Sequence, residues 1–220
     1  MSVNEEYAIN MSLLLNGEGK SYFIKNNLDL YYSKIESALI DLNKGLGVDY
    51  LCFSFISLCS ATLEYSLNLI YSDFFLGQFA CDYEPYAKAF YKMEFKLKLR
   101  LLPYIISNGK FIFNENYKTL QSLNSLIKLR NLLLHPNGCI EGIEFGSIFP
   151  NMEFDGKNLI IETENTEVEF SVNSQESTIE TLNKRDCINY GFALLEFRDL
   201  VLTPFLSNHN IEENSMVRLR

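Results

Sequence analysis

The sequence predicts a mainly α-helical bundle, one domain over residues 1–220, with a small β-hairpin inserted at about residues 151–172. Three observations lead there. Apolar residues recur at helical spacing in five segments. Between Asn151 and Val172 the period falls from 3.6 to two. The composition is that of a globular chain, with 47% hydrophobic, 14% aromatic and 21% charged residues. That excludes a disordered tail, a collagen-like rod and a low-complexity segment. A chain of 220 residues can bury a core without disulfides or a structural metal.

Residues 1 to 24 show no strong period, and Gly17 and Gly19 predict a loop. The first helix is expected from Asn27 to Asn43, on Leu28, Tyr31, Tyr32, Ile35 and Leu39, with Gly45 and Gly47 ending it. The second covers about Asp49 to Asp73. It is apolar around most of its circumference, so it belongs at the centre. The third starts near Glu84, where Pro85 suits a first turn, and stops near Leu102, before Pro103. The fourth runs from about Glu115 to His135. Two β-like runs follow, Asn158 to Thr163 and Thr166 to Val172, with turns at Asp155-Gly156 and Glu164-Asn165. A last helix runs from about Arg185 to Val201 or Leu202, with Pro204 marking its end, and the tail after Asn208 reads as loose.

Five scattered cysteines (Cys52, Cys59, Cys81, Cys139 and Cys187) form no CxxC pair. They fit buried free thiols in a reducing cytoplasm. With two histidines in the chain, neither a metal site nor any other cofactor is expected. Glu5 and Glu6 stand where a signal peptide would carry cations, so no leader is expected. The most apolar stretch, Tyr50 to Tyr71, is interrupted by Glu64, and its uncharged part is too short for a membrane span.

The net charge is −9, which argues against a nucleic-acid ligand. Its distribution argues the other way. Between Tyr86 and Arg130 lie Lys88, Lys92, Lys96, Lys98, Arg100, Lys110, Lys118, Lys128 and Arg130, against only Glu94 and Glu115. A local cationic field attracts anions even on an acidic protein. Lys88, Lys92, Lys96 and Arg100 follow i+4 spacing, which on one helix makes a stripe where phosphates can lie. A plain solvated face gives the same pattern.

The fourth helix holds the unusual residue. On a helical wheel with Leu120 at zero, Leu123, Leu126, Ile127, Leu133 and Leu134 fall between about 220° and 340°. Arg130 falls at about 280°, inside that apolar arc. An arginine there must be paired, line a cleft or snorkel outward. Asn131 and His135 are an i, i+4 pair at the arc's edge. A guanidinium, an amide and an imidazole thus gather within one and a half turns. Basic residues followed by Pro136 also read as an ordinary helix stop. Glu64, the lone charge between Asp49 and Asp73, needs a cation if buried, and Arg130 needs an anion.

Arg130-Asn131-Leu132-Leu133-Leu134-His135 resembles the Arg-x4-His motif of HEPN domains, the higher eukaryotes and prokaryotes nucleotide-binding family. The family favours Asn, Asp or His after the arginine, and Asn131 fits. The resemblance covers about Leu28 to His135 and the last helix; the acidic hairpin has no counterpart in it. It implies a helical bundle that pairs as a homodimer, bringing two motifs to one cleft. It also implies a metal-independent endoribonuclease of a toxin–antitoxin or anti-phage defence system, with a cognate antitoxin or a defence-system subunit as partner. One subgroup carries a modified tyrosine two residues after the histidine; here Asn137 stands there, so that control is not implied.

The implied chemistry is attack of an RNA 2′-hydroxyl on the adjacent phosphorus. His135 would act as general acid or base. Arg130 would hold the phosphate with its planar fork. Asn131 would orient His135 or bind phosphate, Glu64 would fix Arg130, and Lys88, Lys92, Lys96, Arg100 and Lys128 would dock the RNA. A non-catalytic HEPN-like module that binds RNA, nucleotide or protein is the competing reading.

Overall fold

A computed structural model describes residues 11–17, 20–45, 48–134, 142–145, 151–154, 159–162, 170–173 and 182–220. His135, Pro136 and Asn137 lie outside the described residues, as do the turns expected at Asp155-Gly156 and Glu164-Asn165. The architecture is mainly helical, with small two-stranded antiparallel sheets.

The described residues open with a strand pair rather than the expected loop: β1 (Met11–Gly17) pairs antiparallel with β2 (Lys20–Lys25). Three successive leucines, Leu13 to Leu15, hide the period of two that marks a strand. Tyr65 ties this strand pair to the bundle. Its hydroxyl donates to the Lys25 carbonyl at 3.1 Å and accepts from the Asn27 N–H at 3.0 Å.

Helix α1 (Leu28–Asn43) buries Leu28, Tyr32, Ile35, Leu39 and Leu42. It packs on α2 (Val48–Phe79). Helix α2 is the hub and runs on past its expected end at about Asp73 to Phe79. By length and composition it suits a bilayer span as well. Here it lies against α1 and the helices that follow, with Leu63, Leu67, Ile70 and Tyr71 fully buried.

The expected third helix is two helices. A 3₁₀ turn (Ala80–Asp82) leads to α3 (Glu84–Tyr91), and α4 (Phe95–Ile106) follows after a break at Lys92–Glu94. Neither Gly nor Pro marks the break. Pro103 sits inside α4 instead of ending the helix; its fixed φ is helical, and it forfeits one backbone hydrogen bond. Strand β3 (Phe111–Phe113) leads to α5 (Lys118–Leu134). At the start of α5, the Tyr117 hydroxyl donates to Glu196 at 2.5 Å, and Thr119 donates to the same carboxylate.

The inserted β segment holds two antiparallel pairs. Strand β4 (Gly142–Phe145) pairs with β7 (Phe170–Asn173), and β5 (Asn151–Phe154) with β6 (Leu159–Glu162), nested between them in the chain. Of the two runs read from sequence, the described parts, 159–162 and 170–172, are strands, but they pair with β5 and β4 and not with each other; 166–169 lie outside the described residues.

Helix α6 (Lys184–Phe197) begins on Asn183, whose side chain accepts from the Asp186 N–H. Pro204 does not end the C-terminal helical region. A π-helical turn (Arg198–Leu202) shifts the register, so Pro204 falls in the first turn of α7 (Thr203–Asn208). Nor is the tail loose. Ile211, Met216 and Val217 are buried, and β8 (Val217–Leu219) pairs with β3. Cys52, Cys59 and Cys187 are buried free thiols, and burial pushes the Cys59 thiol up.

Candidate functional site

Helix α5 carries Arg130 on the side that packs into the core. Leu120, Leu123, Leu126, Ile127 and Leu133 are buried, and Arg130 lies among them on the wheel, so its guanidinium must reach out from the core-facing side. The Arg130 side chain is 26% exposed and Asn131 is exposed. Across from it, α2 carries Glu64, 38% exposed, whose Oε2 lies 3.9 Å from Arg130 Nη2. That distance is an ion pair without a hydrogen bond. Arg130 Nη1 donates to Asn131 Oδ1 at 3.0 Å. The carboxylate holds the guanidinium by charge and the amide by one bond. Among the described residues, its remaining N–H donors make no hydrogen bond. An exposed pair of this kind contributes about 0–1 kcal/mol, so it positions the charge more than it stabilises the fold.

One turn along α2 from Glu64, Asn68 continues the polar track inward. Its Oδ1 accepts from Lys98 Nζ at 2.8 Å, and the Tyr91 carbonyl accepts at 3.3 Å. Lys98 is 0% exposed on α4. Burial pulls its pKa down, and Glu64 opposes that in part. Lys98 therefore cannot belong to a solvent-facing cationic patch, although it lies in the basic segment.

The expected stripe is not one face of one helix. Lys88 is on α3 and pairs with Glu84 at 2.5 Å; the bond to that carboxylate raises its pKa. Lys92 caps α3 at the break, and Lys96 and Arg100 are exposed one turn apart on α4. Lys128 is exposed on α5, two residues before Arg130. His135 lies outside the described residues, so the imidazole has no stated position. No group of three metal-ligating side chains occurs among the described residues.

Two polar sites carry no local sequence signal. Arg198, in the π-helical turn, donates to Asp199 and to Glu36, each at 2.8 Å, and lies over the Tyr32 ring. The Asp199 bond, with help from Glu36, raises its pKa. It lines a cleft of about 500 Å³ with Asp29, Tyr32, Ser33 and Ser207. The second is a pair between Asp73 and His209, 136 residues apart in the chain.

Comparison with known proteins places no relative beside this chain: no family model, curated protein or solved structure matches it.

Proposed function

We propose that the protein is a metal-independent endoribonuclease of a toxin–antitoxin or anti-phage defence system, working through an Arg-x4-His site. The observation that carries this reading is Arg130. It is a cation on a core-facing helix, held by Glu64 at 3.9 Å and by Asn131 at 3.0 Å. Its planar fork matches a phosphate and suits the charge of a phosphorane. The resemblance of Arg130 to His135 to the HEPN motif supplies the rest. His135 moves the proton of the 2′-hydroxyl or of the leaving 5′-oxygen. Asn131 serves Arg130 directly, a narrower role than its sequence position implies. Lys96, Arg100 and Lys128 are the exposed cations left for docking RNA, with Lys92 at the helix break. The active form is a homodimer in which two motifs face one cleft.

The test is incubation of labelled single-stranded RNA with purified protein in EDTA. The expected products end in a 2′,3′-cyclic phosphate or the 3′-phosphate formed from it. His135→Ala should lower the rate by about 10²-fold to 10⁴-fold while keeping the fold. If His135→Ala cuts as fast as wild type, the assignment of the motif is wrong.

A further inference from the structure

Away from Arg130, α2 carries a second polar site. Asp73 lies nine residues beyond Glu64, so it is about half a turn round the helix and about 13 Å further along. The Asp73 side chain is 0% exposed, and its Oδ2 is 2.7 Å from Nδ1 of His209, whose side chain is 50% exposed. A carboxylate only accepts, so Nδ1 donates to it, and whenever the ring carries a single proton Nε2 is left as an acceptor. No described residue hydrogen-bonds to Nε2.

The backbone fixes this arrangement. His209 ends α7 in the left-handed region, at φ 47° and ψ 30°, and its N–H reaches the Phe205 carbonyl at 2.7 Å. A left-handed residue is an ordinary helix end, and histidine is among the side chains that tolerate it. The ring stands edge-on to Phe205, with centroids 6.3 Å apart.

The pair lines a cleft of about 410 Å³, a volume within the usual range for small-molecule sites. Gly77 and Ser107 also line the cleft. Phe74, Ile106 and Phe205 supply apolar wall, and Gln78, Asn108 and Asn210 supply amides. Asn210 Oδ1 already accepts from the Ile211 N–H, so its NH₂ is left to donate. No lysine or arginine lines the cleft, so it offers a phosphate no permanently charged partner.

We propose that this cleft binds an uncharged heterocycle of nucleoside size, with a ring or exocyclic N–H donating to His209 Nε2. Amides read the edges of such rings by paired donation and acceptance, and apolar walls take their faces. The site is separate from the Arg130 cluster, so it stands or falls independently of the nuclease reading.

The test is titration of the wild-type protein with adenosine, cytidine, guanosine and uridine in mildly alkaline buffer. The ring ¹⁵N signals of His209 are the reporter, and ribose is the control. At least one nucleoside should move the Nε2 signal saturably, and ribose should not. Gln78→Ala, at an exposed rim position, should weaken binding about fivefold to tenfold, the loss of one hydrogen bond. His209→Asn keeps a residue that tolerates the left-handed turn but removes the ring and its outward Nε2, which the shorter amide does not replace, and ligand-observed saturation transfer should show binding at least about tenfold weaker. The proposal is overturned if no nucleoside moves Nε2 at millimolar concentration, or if His209→Asn binds like wild type. It is also overturned if adenosine monophosphate binds far tighter than adenosine in a salt-sensitive way.

Discussion

Arg130 and Lys98 show how differently two cations of one basic segment behave. Arg130 was legible from the wheel, because a charge in an apolar arc must reach a partner or a cleft. Glu64 was legible as the lone charge in an apolar helix, and the two stand 3.9 Å apart. Lys98 was not legible, since a lysine among exposed lysines gives no local sign of being the one turned inward. Its burial makes a pH prediction. The folded pKa is lowered by burial. At low pH the ammonium is charged in both states, and the cost of burying it is fully present. As pH rises, the folded state releases its proton first, so stability should increase toward the ordinary lysine pKa of about 10.4. Lys98→Met should flatten that rise. Urea midpoints of the two proteins across the alkaline range measure it, and parallel profiles would contradict it.

At the scale of elements, the five helical regions were legible because each buries a long periodic face. The details were decided by contacts no local window contains. The Lys92–Glu94 break carries no Gly or Pro, and the C-terminal strand exists because β3, more than a hundred residues earlier in the chain, offers an edge. The tail is therefore part of the core. Met216→Ala, at a side chain with 0% exposure, should cost about 2–5 kcal/mol, read from urea unfolding. A cost near zero would mean that the tail is not packed. The contact of α6 with α1 and α2 rests on Gly191. A Cβ there would lie 2.7 Å from Leu39 Cδ2 and 2.9 Å from Phe55 Cζ. Alanine gains about 1 kcal/mol of helix propensity over glycine. Leu39 and Phe55 are both buried, so the overlap should win, with a net loss of about 1–2 kcal/mol for Gly191→Ala. An unchanged or raised midpoint would show that the interface yields instead.

For the whole molecule, the proposed homodimer would unite two Arg130 and His135 sets. Leu132, 45% exposed two residues beyond Arg130, is apolar surface that a partner would cover. Sedimentation at micromolar concentration should give a dimer, and Leu132→Asp should shift it to monomer; a wild-type monomer would count against the shared cleft. The long-range pairs, Asp73 with His209 and Arg198 with Glu36, lie beyond any sequence window, because only the packed bundle brings those helices together. The central claim is that Arg130 grips the scissile phosphate with its fork. Its most direct test is the single-turnover rate at which Arg130→Lys cuts RNA in EDTA, beside wild type. Lysine keeps the charge but not the paired donors, so the rate should fall by about 10²-fold or more. Cutting at the wild-type rate would show that only a charge is needed there, and the account of the site would be wrong.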